Sequence, residues 1–163
     1  MRASHDICGT RMILNKTLSM TDQSRDAGIT LSCHIPSILD KDSTLAKALV
    51  PRGHKHGFQI LELGSGCGVV GLSLAQTVPG ARVLLTDLPE AEEIVERNIT
   101  QAQLADGATV AFRELDWDAE LPVDLRTPSG KLDLVLAADC TYNSDSRYVV
   151  APLFWNAFVL CGF

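Results

Sequence analysis

No apolar run in the sequence approaches the roughly 20 residues that a helix needs to cross a bilayer, and its first ten residues lack the basic-then-apolar order of a secretory signal. A membrane is therefore not an expected partner, and the chain reads as cytoplasmic. Positive charge is scarce too, with 14 Lys+Arg against 20 Asp+Glu and a formal net charge of −6. A surface that neutralises phosphates needs the opposite balance, so nucleic acid is not expected either. The five cysteines, Cys8, Cys33, Cys67, Cys140 and Cys161, are odd in number and far apart, without a C-x-x-C pair. Neither a disulfide framework nor a structural zinc site is signalled. His34, His54 and His56 have no partner at metal-ligand spacing and read as surface residues, so no metal is expected.

What is present is enough apolar material for a core: 46% hydrophobic and 21% charged residues in 163 fit one globular domain. Charge is uneven along it. Residues 1–57 carry 8 Lys+Arg and 5 Asp+Glu, residues 58–163 carry 6 and 15, so the two parts stand at +3 and −9. The first part reads as a helical extension, weakly periodic from Ala27 to Val50 and interrupted at Pro36, followed by a turn-rich linker through Gly57. From Phe58 onward short apolar runs alternate with helical periodicity, the pattern of an α/β fold.

Strands are predicted over Phe58 to Leu63, Arg82 to Thr86, Thr109 to Glu114 and Leu132 to Ala138. Helices are predicted over Val69 to Gln76 and Pro89 to about Ala102, the latter with Ala91, Ile94, Val95 and Asn98 on one face. The nearly continuous apolar character of the strands predicts a Rossmann-like, doubly wound, mostly parallel sheet covered on both faces. Tyr148 to Phe163 is predicted as one helix, so the core at residues 58–163 is expected to stop after its fourth strand and the helix behind it. That would leave a sheet edge uncovered, through which self-association is expected.

The chemistry concentrates at strand ends. Glu62-Leu-Gly-Ser-Gly-Cys-Gly68 joins the first strand to the first helix, where Gly64, Gly66 and Gly68 can bring bare backbone against a nucleotide. Gly66-x-Gly68-x-x-Gly71 also satisfies a dinucleotide fingerprint, which keeps NAD open as a ligand. Asp87, after the second strand, can accept hydrogen bonds from two vicinal ribose hydroxyls or cap the helix at Pro89. After the third strand, Asp116 and Trp117 offer an acceptor and a flat apolar face suited to adenine. After the fourth, Ala138-Asp-Cys-Thr-Tyr142 places an acid and a phenol three residues apart at the edge where α/β sheets bind ligands.

From Phe58 to about Val150 these residues resemble the class I, seven-strand S-adenosylmethionine-dependent methyltransferases. More narrowly, Leu61 to Leu72, Thr86-Asp87, Leu115-Asp-Trp117 and Asp139-x-x-Tyr142 are similar to the protein-lysine methyltransferases of the methyltransferase-like 21 type. The resemblance implies S-adenosylmethionine as cofactor, bound by Glu62, Gly64, Gly66, Gly68, Asp87, Asp116, Trp117 and Ala138. It implies a protein substrate presenting a lysine, with Asp139 and Tyr142 as the catalytic pair that positions the amine. Arg25 stands where the family carries a tryptophan over the cofactor.

Two other functions stay in view. A nucleobase N-methyltransferase also pairs an acid or amide with an aromatic three residues on, but Cys140 and Thr141 replace its usual two prolines and the charge beyond residue 57 disfavours DNA. A non-catalytic cofactor-binding or interaction module of the same fold is the alternative outside enzymes.

Overall fold

The computed structural model describes residues 3–7, 10–14, 22–39, 57–120, 122–126, 132–138 and 158–162. Its centre is a five-stranded parallel sheet of β3 (Phe58–Leu63), β4 (Ala81–Asp87), β5 (Thr109–Glu114), β6 (Leu134–Ala138) and β7 (Phe158–Gly162), in the order β5-β4-β3-β6-β7. The chain builds outward from β3 to β5 on one side, then returns to place β6 on the other. The order therefore reverses between β3 and β6, the crevice where open α/β sheets bind ligands.

Side chains alternate across these strands with a period of two. Phe58, Ile60, Val83, Leu85, Leu134 and Leu136 face a large core completed by α2 (Val69–Thr77) and α3 (Glu92–Gln101). Leu61, Leu63 and Val135 face a smaller one with Leu115, Leu125 and Trp117 on the opposite side. Val69 through Ala75 are all buried, since α2 is enclosed by the sheet on one side and by α1 (Asp22–Ile38) on the other. A β-carbon added at Gly28 of α1 would already touch Val69 at 3.5 Å, which shows how closely the two helices approach. In α3 and the 3-10 turn Pro89–Ala91 before it, Ala91, Ile94, Val95 and Asn98 are the buried face, as the periodicity predicts.

Four features differ from the sequence reading. The chain's last described segment, Phe158–Gly162, is a strand parallel to β6, with Phe158 opposite Leu134, and not the end of a helix. A short unbroken apolar run suits either state, and the free backbone edge of β6 selects the strand. The edge expected to lie open on the fourth core strand is thus paired within the chain. The N-terminal part also opens on an antiparallel pair, β1 (Ala3–Ile7) and β2 (Thr10–Leu14), ahead of the expected helical segment. Pro36 lies inside α1, in its last turn, rather than ending it, and Ile35 beside it is buried in the main core. Finally, Cys33 is disulfide-bonded, because a fold can join thiols whose spacing signals nothing.

A single-turn helix, α4 (Val123–Arg126), follows β5. No helix among the described residues is long and apolar enough to cross a membrane. His34 is exposed, as expected, its Nδ1 lying 2.8 Å from the Thr30 carbonyl oxygen.

Candidate cofactor and acceptor site

The carboxyl ends of β5, β4, β3 and β6 lie side by side, and each carries one of the motifs singled out above. Three inter-strand steps of about 4.8 Å give an edge of roughly 14 Å. Register aligns it: Glu114 pairs with Asp87, Thr86 with Leu63, and Leu63 with Ala137.

The glycine turn sits at the middle of this edge. Gly64, Gly66 and Gly68 have φ of 60°, 58° and 80°, conformations that disfavour any residue with a β-carbon. The Ser65 N–H donates to the Thr86 carbonyl at 2.9 Å, and the Gly68 N–H closes the turn on the Ser65 carbonyl at 2.7 Å. Nothing lies within 4 Å of where a Gly66 β-carbon would stand, so the backbone there faces open space. Gly68 and Gly71 serve a different purpose: a β-carbon on either would collide with Leu85, and on Gly71 also with Glu62 and Val83. These two glycines seat α2 against β4.

Asp87 is half-buried, and its carboxylate braces the turn directly. Oδ2 accepts from the Gly66 N–H at 2.6 Å and Oδ1 from the adjacent Leu88 N–H at 2.7 Å. It does not cap the following helix, whose N-terminus has no side-chain cap. Each carboxylate oxygen has more than one lone pair, so ribose hydroxyls can join these backbone donors.

Glu62 occupies a different environment. As an even-numbered residue of β3 it shares a face with Phe58 and Ile60, which directs it beneath α2. It is 2% exposed, and its Oε2 accepts from the Gly71 N–H at 2.8 Å. Burial pushes its carboxyl up to about 8 from an ordinary 4.5, the Gly71 hydrogen bond opposes that, and the charge of Asp87 adds to it. Glu62 is therefore mainly neutral near pH 7, placed to hold the turn-to-helix junction from below.

Beyond β5, Asp116 is exposed, and its Oδ1 accepts from the Asp118 N–H at 2.8 Å in a local turn. Trp117 is half-buried and packs on the smaller core, so part of its ring is structural. Ala138 ends β6 half-buried, opposite Gly162 of β7. Asp139 and Tyr142 lie outside the described residues, as do His54 and His56.

Three residues of the site escaped the sequence reading. Leu88 exposes a large apolar side chain directly beside Asp87; its signal was an apolar residue stranded between a strand-end acid and a proline. Ser65 is 6% exposed, and its Oγ is buried without a hydrogen-bond partner. Asn98 is 1% exposed, and its Nδ2 donates to the Cys67 carbonyl at 3.0 Å. Among the described residues no group of three or more His, Cys, Asp and Glu is placed to hold a metal ion.

Comparisons with known proteins agree with this geometry. The sequence model of a family described as lysine methyltransferase matches residues 14–153. The chain is 36% identical over 117 residues to protein-lysine N-methyltransferase EFM6 of Saccharomyces cerevisiae, covering 64% of this chain and 46% of that one. It is 36% identical over 86 residues to EEF1A lysine methyltransferase 3 of Mus musculus, covering 53% and 34%. The chain thus spans less than half the length of these relatives. Among solved structures, TYW2 of Pyrococcus horikoshii in complex with MeSAdo superposes with a TM-score of 0.57 at 14% identity, over 96% of this chain and 48% of that one. At that identity the likeness concerns the fold.

Proposed function

Because the chain belongs to the lysine methyltransferase family, we propose that it binds S-adenosylmethionine along the carboxyl edge from β5 to β6 and transfers the methyl group to a lysine of a protein substrate. The observation that carries this reading is the glycine turn, open to solvent space at Gly66 and braced from the β4 side by Asp87. The residues present fit the cofactor. The turn would hold its amino-acid part, Asp87 its ribose, and Leu88 with Asp116 and Trp117 its adenine. The buried, unpartnered Ser65 Oγ is a further polar group at that turn.

The bound cofactor supplies a methyl carbon that is already electrophilic. Transfer to the amine would form a nitrogen–carbon bond as the carbon–sulfur bond breaks, with the electron pair staying on sulfur and one proton leaving the amine. The work left to this chain is to align a neutral amine for in-line attack and to exclude water. Asp139 and Tyr142, following β6 directly in the chain, are the residues proposed for the acceptor side. The two relatives, a protein-lysine N-methyltransferase and an EEF1A lysine methyltransferase, support a protein substrate.

Calorimetric titration tests the cofactor: S-adenosylmethionine or S-adenosylhomocysteine should bind and NAD should not, whereas tight NAD binding without response to either adenosyl compound overturns the assignment. Incubation with methyl-labelled cofactor and cell extract then tests the reaction, since label must appear in protein. Cofactor binding with no labelled protein would favour a non-catalytic binding module.

Asp87→Ala should weaken S-adenosylhomocysteine binding by about 1.5–3 kcal/mol, the range for a charge-assisted hydrogen bond. An unchanged affinity would confine Asp87 to bracing the Gly66 amide.

A further inference from the structure

We propose that Asn98 is a positioning residue that holds the glycine turn open for its ligand, by giving the Cys67 carbonyl a side-chain donor in place of a helical one. The proposal rests on the reading that this turn binds the cofactor.

Cys67 lies between Gly66 and Gly68, both in the left-handed region. Four residues on is Gly71, whose N–H would be the helical partner of the Cys67 carbonyl if α2 were wound one residue further back. It is not available for that. The Gly71 N–H donates to Glu62 Oε2 at 2.8 Å, and the Cys67 carbonyl accepts from Asn98 Nδ2 at 3.0 Å. One potential backbone pair is thus satisfied twice over by side chains, Glu62 from β3 below and Asn98 from α3 beside.

The consequence is geometric. With the Cys67 carbonyl and the Gly71 N–H satisfied in this way, this backbone pair gains no new hydrogen bond by winding into α2. Asn98 also links two parts of the site, since α3 follows directly on Asp87 and Leu88. The turn is consequently held from this side three times, by the Thr86 carbonyl at Ser65, by Asp87 at Gly66 and, from α3, by Asn98 at Cys67. Removing the donor takes the Asn98 hydrogen bond from the Cys67 carbonyl, which loosens the tie between α3 and the turn and would let Gly66 shift from the edge.

Asn98→Leu, which keeps the Cγ branch and the number of heavy atoms and deletes the donor, should raise the Kd for S-adenosylhomocysteine about fivefold to tenfold. The KM for S-adenosylmethionine should rise in parallel, with kcat at saturating cofactor within about twofold of the original. Val95→Ala serves as the control, since Val95 is fully buried on the same helix but only in the apolar core. It should lower the melting temperature while leaving that Kd nearly unchanged. An equal rise in Kd for Val95→Ala, or no rise for Asn98→Leu, overturns the proposal.

If Asn98→Leu does not fold, the unsubstituted chain decides. Its Asn98 side-chain amide protons should exchange more slowly with S-adenosylhomocysteine bound, and unchanged exchange overturns the role. Should the unsubstituted chain bind neither adenosyl compound, the cofactor reading falls and takes this proposal with it. Normal binding there combined with an unaffected Asn98→Leu removes this proposal alone.

Discussion

Asp139→Ala should lower methyl transfer on the order of 10²- to 10⁴-fold, the range over which a positioned acid–base group acts. Affinity for S-adenosylhomocysteine should stay within about twofold if, as proposed, Asp139 serves the acceptor side. The size of the effect follows from the substrate. A lysine ammonium has an ordinary pKa of about 10.4, so at neutral pH a proton has to depart before its nitrogen can attack. Asp139 is proposed to hold the ammonium on arrival, and Tyr142 to orient the amine that remains. Tyr142→Phe should therefore cost less, about tenfold, the loss of one hydrogen bond to the reacting nitrogen. Single-turnover transfer and calorimetry on the same preparations separate the cases. An equal loss of binding and turnover would put these residues in the cofactor pocket or the fold, and undisturbed turnover would remove them from the reaction.

The second large effect concerns stability and is set by Glu62. Its carboxyl is pushed up to about 8 in the folded chain from an ordinary 4.5, so the folded state keeps a proton that the unfolded state releases. The stabilisation linked to that proton is fully present below 4.5 and is lost as pH rises through about 8. At 1.36 kcal/mol per unit this amounts to at most about 5 kcal/mol, a large fraction of the stability of an ordinary domain.

Glu62→Gln keeps an acceptor for the Gly71 N–H and removes the titration. Its melting temperature should change much less between about pH 5 and pH 9 than that of the unsubstituted chain, and should exceed it at the alkaline end. Parallel profiles for the two proteins would show that Glu62 is not the group responsible. The prediction also separates two ways of being a cofactor residue. Glu62 was legible as part of the glycine motif, and its carboxyl is spent on the Gly71 N–H at the turn-to-helix junction.

Much of the architecture was readable because it rests on local period and local composition. The four apolar runs from Phe58 to Ala138 became adjacent parallel strands, and the face of Ala91, Ile94, Val95 and Asn98 became the buried face of α3. The glycine turn was readable for the same reason. Three left-handed backbone positions within five residues leave few alternatives to glycine. Even Trp117 was placed correctly at the end of β5, although its packing on the smaller core was not visible in Leu115-Asp-Trp117.

What the sequence determined by itself was therefore the four core strands from Phe58 to Ala138, the two helices between them, and the sheet class. Tertiary structure alone decided that Phe158–Gly162 joins the sheet, because an apolar run of that length has no period of its own and takes its state from the edge offered to it. It likewise decided that Asp87 reaches back 21 residues to Gly66, that Asn98 reaches 31 to Cys67, and that Glu62 turns under α2 rather than toward the open edge. Those contacts depend on which strands become neighbours and which face a helix covers. Both are fixed by burying the whole chain's apolar surface at once, and no window of adjacent residues contains that information.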